Sequence, residues 1–164
     1  MEQTQTPSGG AGFSPESRQF LTFVLGSEEY AIDILRVQEI RGYSAITAIP
    51  NTPAYIKGVM NLRGAVVPVV DLRAKFGMPA TEYNKFTVII VVMLGTRVTG
   101  LVVDAVSDVL NINRSDIEPP PELDTTVDLS CITGLAKAGP KLILLLDIER
   151  VVAAAEVVAL GRAA

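Results

Sequence analysis

The sequence has no histidine, no tryptophan and a single cysteine, and only 5% of its residues are aromatic. Without histidine there is no Ser-His or Cys-His pair for nucleophilic catalysis and no Cys/His cluster for a metal. No glycine-rich motif cradles a phosphate. The lone thiol, Cys131, has no intrachain partner and nothing reads as a signal peptide, so a reducing cytoplasm is the expected compartment. Cys131 opens an apolar strand and reads as a buried, inert thiol. A basic excess is also missing. The net charge is −4 and the pI about 4.8, which removes the footprint that supplies most nucleic-acid affinity and weakens a membrane-surface role. The longest apolar runs, at 87–94 and 142–146, are far too short to span a bilayer as helices. They match buried strands instead.

What is present is aliphatic. Hydrophobic residues make up 49% of the 164, enough that most of the chain must fold as one domain or two small coupled ones. Residues 1–17 are Gln, Thr, Ser, Gly and Pro and read as a disordered tail. Strands are predicted at 19–25, 29–34, 37–40, 46–49, 56–62 and 65–72, with room for a helical turn in 51–55 and another at 74–76. Pro68 donates no ladder hydrogen bond, so 65–72 is expected at a sheet edge or with a bulge. Further strands are predicted at 86–94, 98–104, 106–112, 132–137 and 141–146, with a proline-rich loop over 118–130. Residues 147–160 read as a C-terminal helix with Asp147 as N-cap.

The two halves align. Leu25-Gly26 matches Leu94-Gly95, and Val37-Gln38-Glu39-Ile40 matches Val106-Ser107-Asp108-Val109, both offset by 69 (106 − 37). Ile56-Lys57-Gly58 matches Ile132-Thr133-Gly134, and Val69-Val70-Asp71-Leu72 matches Leu145-Leu146-Asp147-Ile148, offset by 76 (134 − 58). No helical period long enough for a βαβ crossover separates the strands. The expectation is a mostly β fold of two five-stranded barrels, near 18–80 and 84–147, with a short helix between them and a helix after them. Neither barrel is large enough to stand alone, so the two pack together with a groove between them.

Few residues are left for function. Asp71 and Asp147 hold equivalent positions; a carboxylate pair is conceivable, but capping of the following helical turns explains both. Glu28-Glu29 reads as a hairpin tip. Glu39 and Arg41 share a strand face, and Val37 is read on the same face. Arg63 sits at a Gly64 turn, where Gly64 can take φ > 0. Such a turn needs no arginine, and the second copy has Gly139-Pro140 there instead. Glu39 can reach Arg63 across a neighbouring strand. The group is either an interaction patch or a solvated charged face.

With those residues in view, the chain resembles the CheW family of bacterial chemotaxis coupling proteins. The matching stretches are Glu28-Glu29-Tyr30, Val37-Gln38-Glu39-Ile40-Arg41-Gly42-Tyr43, Asn51-Thr52-Pro53, Asn61-Leu62-Arg63-Gly64, Pro68-Val69-Val70-Asp71-Leu72-Arg73 and Val106-Ser107-Asp108-Val109-Leu110, in order, from about residue 18 to the C-terminal helix. The resemblance implies two intertwined SH3-like barrels in a single domain over 18–160. It implies a cytoplasmic adaptor without enzymatic activity or cofactor, recruited to receptor arrays. That adaptor joins the tip of methyl-accepting chemoreceptors to the regulatory domain of the histidine kinase CheA. By motif, Val37, Glu39, Arg63 and Val88 become receptor-binding residues and Ile34 and Leu35 kinase-binding residues. Gly58, Gly64 and Gly100 become structural glycines at turns or close backbone approaches. Two rival readings are a regulatory domain of this family from another two-component system and a nucleic-acid-binding barrel; acidic charge and few aromatics oppose the latter.

Overall fold

The computed structural model describes residues 17–44, 46–120 and 131–152. Their strands are β1 (Ser17–Leu25), β2 (Glu28–Asp33), β3 (Val37–Gly42), β4 (Ile56–Leu62), β5 (Ala65–Asp71), β6 (Val88–Leu94), β7 (Arg97–Val103), β8 (Ala105–Asn113), β9 (Ile117–Glu118), β10 (Ile132–Ala138) and β11 (Lys141–Leu146). Two short helices, α1 (Leu72–Lys75) and α2 (Ile148–Val151), follow β5 and β11. The strands form sheet A, ordered β8-β1-β2-β11-β10-β9, and sheet B, ordered β3-β6-β7-β5-β4. Each is the sheet of one SH3-like subdomain.

The subdomains are not the contiguous halves 18–80 and 84–147. Sheet A takes β1 and β2 from the first half, and sheet B takes β6 and β7 from the second. The exchange is made by two parallel pairings, β2 with β11 and β5 with β7. Three apolar cores result. Met60, Val69, Ile89 and Val91 fill the interior of B; Phe20, Ala31, Ile143 and Leu145 fill that of A. The largest lies between the sheets, with Leu21, Phe23, Ile32, Ile90, Val92 and Leu101. Strand β6 serves both sides by alternation, Ile89 and Val91 inward and Ile90 and Val92 to the centre. This is why 87–94 reads as an unbroken apolar run.

Several local expectations change. The first strand starts at Ser17, inside the stretch read as tail. The predicted strand 46–49 is one bridge, Thr47 to Val59. Residues 51–55 form turns without a helix. Glu118, placed in a loop, belongs to β9 and pairs with Leu135. The β1–β2 tip is Gly26-Ser27; Glu29 lies within β2, paired in register with Val24 and 3.5 Å from the Lys141 ammonium. Most of the loop over 118–130 and of the helix over 147–160 lies outside the described residues. Strand β5 is interior, not an edge. Pro68 is tolerated because Val59, opposite it, directs its N–H and C=O to Thr47 at 2.9 and 2.8 Å. Pro68 therefore faces its nitrogen away from β4, and the pairing of β5 with β7 begins one residue later at Val69.

Candidate functional site

The hairpin between β4 and β5 closes on Arg63-Gly64, with Leu62 opposite Ala65. Arg63 has φ 51° and Gly64 φ 89°. Positive φ at both central residues is the mark of a type I′ turn, whose twist suits a hairpin. Glycine takes it without cost; a residue with a Cβ does not. The Gly64 N–H donates to Asn61 Oδ1 at 2.9 Å, which braces the turn. Nothing in this local structure calls for a long cation.

The guanidinium is used across the sheet opening. Strands β3 and β4 are the two edges of sheet B, and Arg63 reaches from the β4 side to Glu39 on β3. Its Nη2 lies 2.9 Å from Glu39 Oε2 and its Nη1 3.2 Å from Oε1. This two-point fork fixes direction as well as charge. Arg41 Nη1 adds a contact at 3.4 Å to Glu39 Oε1. The hydrogen bond from Arg63 is the main cause that holds the Glu39 carboxyl below its ordinary range; Arg41 contributes less. The same bond raises Arg63. Arg63 is 68% exposed and Glu39 25%, so the pair adds little to folding stability and serves orientation.

Val37 and Val88 lie elsewhere. A bulge at Gln38 sets Val37 opposite Val92 but Glu39 opposite Val91. Those two neighbours face opposite cores, so Val37 does not share the face of Glu39. Val37, Val88 and Ile34 are half-buried along the rim of the central core. Leu35 is 86% exposed, on a 3-10 turn (Ile34–Arg36) that Asp33 caps through the Leu35 N–H. Of the three singled-out glycines, only Gly64 is at a turn. Gly58 sits in a β4 bulge with φ 141°, where a Cβ would lie 2.0 Å from Thr47 O. Gly100 lies within β7, where a Cβ would press on Ile89 at 2.9 Å.

Asp71 and Asp147 are caps. Asp71 accepts from the N–H groups of Arg73 and Ala74, and Asp147 from that of Glu149. Asp71 has a further partner that sequence reading missed: Tyr83 O–H donates to its Oδ2 at 2.6 Å. Burial and then this bond raise the Tyr83 phenol. Tyr83 also packs on Tyr43 at 4.3 Å with Lys57 over its ring, tying the linker after α1 to sheet B. Also missed was Asp104, which takes Arg73 Nη1 at 2.8 Å and the Gly26 N–H at 2.8 Å, joining α1 to the β1–β2 hairpin. No periodicity marks Tyr83; Arg73 lies in a motif stretch and Asp104 at the end of a predicted strand, and neither gives a sign of their meeting. Among the described residues no group of three His, Cys, Asp or Glu is placed to hold a metal, and no helix is long and apolar enough to cross a membrane.

These features define a class: a double SH3-like barrel whose exposed hairpin tip carries an arginine paired to a carboxylate on the facing edge strand. A family model, the CheW-like domain, matches residues 19–156, and the chain belongs to that family. It is similar to chemotaxis protein CheW of Klebsiella aerogenes, 50% identical over 139 residues covering 85% of this chain and 84% of that one. It is 41% identical to chemotaxis protein CheW of Rhizobium meliloti over 134 residues, 82% of this chain and 86% of the relative. Among solved structures, the scaffolding protein TtCheW from Thermoanaerobacter tengcongensis superposes with a TM-score of 0.78 at 37% identity, over 85% of this chain and 94% of that one.

Proposed function

We propose that this chain is a non-catalytic chemotaxis adaptor of the cytoplasm, which couples the tip of methyl-accepting chemoreceptors to the histidine kinase CheA in membrane-associated arrays. The observation that carries this reading is the Arg63–Glu39 fork. An arginine is kept in a left-handed backbone conformation, at an exposed tip where the fold does not need it. That is a side chain held ready for a partner. Arg63 and Glu39 are the receptor-side charges, with Val37 and Val88 supplying apolar contact along the barrel seam. Ile34 and Leu35 are the kinase-side residues: Leu35 is a large apolar side chain exposed on a turn pinned by Asp33, the kind of anchor that interfaces bury. Family membership and the names of the relatives point the same way.

The test is reconstitution of the purified chain with CheA and a receptor cytoplasmic fragment. The expected result is a kinase rate that depends on this chain and responds to the receptor. A rate that ignores its presence sinks the proposal, and incorporation of labelled phosphate into this chain from ATP alone would refute its non-catalytic part.

A further inference from the structure

The repeat gives barrel A a counterpart of the charged patch, and the counterpart is half empty. Asp108 in β8 stands where Glu39 stands in β3, 69 residues on (108 − 39), with the same bulge beside it: Val106 pairs with Phe23 and Asp108 with Thr22. The β10–β11 turn, Gly139-Pro140, stands where Arg63-Gly64 stands. That turn offers no cation. The Asp108 carboxylate accepts the Val109 N–H at 2.7 Å, and among the described residues it makes no ion pair.

The space the missing side chain would cross is open. A groove of about 380 Å³ lies between β8 and the β10–β11 hairpin, lined by Asp108, Leu110, Thr22, Pro140, Lys141 and Glu29. A second hollow of about 260 Å³ adjoins it, sharing Glu29 and Lys141 and reaching Glu28 and Leu142. Three carboxylates thus face one ammonium, and that ammonium is drawn to Glu29 at 3.5 Å. The groove's apolar lining is Leu110, Ala138 and Pro140, and Leu142, 49% exposed, borders the adjoining hollow. Strand β8 is an edge of sheet A, so one side of its backbone is open to pairing.

We propose that this groove is a docking site for a partner protein that inserts an arginine, flanked by apolar side chains, against Asp108. The partner would supply from outside the guanidinium that Arg63 supplies to Glu39 from within. Charge sets the sign of the occupant, since the groove carries an excess of carboxylates. Geometry selects arginine over lysine, because the equivalent carboxylate in barrel B is gripped at two points and only a planar fork does that. The apolar lining excludes water around the pair, which is where a charged contact gains most. The receptor-side patch is on the other barrel, so the two sites can be filled together.

The full-length chain, isotope-labelled, is titrated with a disulfide-closed peptide copying residues 60–67, which presents the Leu-Arg-Gly tip. Saturable shifts are expected at the amides of Thr22, Asp108 and Lys141. Asp108→Asn and Asp108→Arg should weaken binding by about tenfold or more, and a peptide with alanine for its arginine should not bind. Gly139→Arg is the internal control. Gly139 has φ 63°, close to the value Arg63 already tolerates, and no atom lies within 4 Å of a Cβ placed there. The grafted arginine should occupy the groove and exclude the peptide, with the chain still folded and its melting temperature lowered only by the modest cost of a Cβ at positive φ. Absence of shifts at millimolar peptide, or shifts indifferent to Asp108 and Gly139 substitution, overturns the proposal. Self-association of the chain that Asp108→Arg abolishes would make the occupant a second copy and overturn the foreign partner.

Discussion

Sheets A and B are two castings of one design. Read in order, β8-β1-β2-β11-β10 and β3-β6-β7-β5-β4 correspond strand for strand under the 69- and 76-residue offsets. The agreement reaches single atoms: the Asp71 N–H donates to Tyr55 O at 2.7 Å, and the Asp147 N–H to Cys131 O at 2.8 Å. Bulges recur at Gln38 and Ser107 and at the residues before Gly58 and Gly134. Where the copies agree, the residue serves the shared backbone. Where they differ, the fold has been satisfied either way. The hairpin tip is the sharpest difference: Arg63 in one copy, glycine in the other, on the same turn register.

The comparison can be broken at its shared points or sharpened at its differing ones. The largest effect is expected at Gly58. Alanine there combines positive φ with a Cβ against Thr47 backbone, and Gly58→Ala should cost about 3 kcal/mol or more. At the equivalent Gly134 the nearest obstacle is the Ile117 side chain at 2.5 Å, with Glu118 O at 3.0 Å, and Gly134→Ala should cost about 1–2 kcal/mol. Urea melts of both variants measure the gap, and equal costs would show that the copies are more alike here than the contacts imply.

Next come Arg63→Ala and Glu39→Gln. Each should lower affinity for the receptor fragment by about tenfold or more and leave the melting temperature unchanged, because the pair is exposed. Titration calorimetry beside a thermal melt separates the two effects. A melt shift without a binding loss would make the fork a structural clamp.

Tyr83→Phe removes one hydrogen bond to the Asp71 carboxylate and should destabilise by about 1.5–3 kcal/mol. Circular dichroism melts check this, and a neutral result would mean that the linker is held by ring packing alone.

The smallest effect is pH-dependent. The Glu39 carboxyl is depressed in the fold, so its contribution is complete above the ordinary carboxylate range. It is lost only as pH falls through the lower folded-state value. Arg63→Ala should return the carboxyl toward its usual value; Arg41→Ala should move it less, since the Arg63 hydrogen bond is the largest cause. Carboxyl NMR titrations read this, and a larger effect from Arg41 would reverse the assignment.

Much of this was legible because it is written in local pattern. Strand positions followed apolar runs and turn glycines, and the caps at Asp71 and Asp147 followed residue type and place. The Glu39–Arg63 meeting was anticipated from its spare charge. What stayed hidden needs pairing information. A repeat tells which residues are equivalent but not that Val69, besides Gly58 of its own half, pairs with Gly100 of the other. The turned-away face of Val37 depends on one bulged residue, Gln38, and a bulge leaves no mark in an alternating pattern. Tyr83 and Asp104 act through contacts across 12 and 31 residues or more, beyond the reach of any local rule.

The parallel pairings have a consequence in time as well as space. Glu29 is paired with Ile143 and Gly100 with Val69, so a chain emerging from the ribosome has made β2 long before the strand that completes its sheet exists. Neither barrel can close on the early half alone, and folding must wait for nearly the whole chain, as contact order predicts for non-local sheets. A fragment cut near residue 80 would carry strands of both sheets and finish neither. The molecule is therefore one cooperative folding unit, which synthesis can only complete at its end.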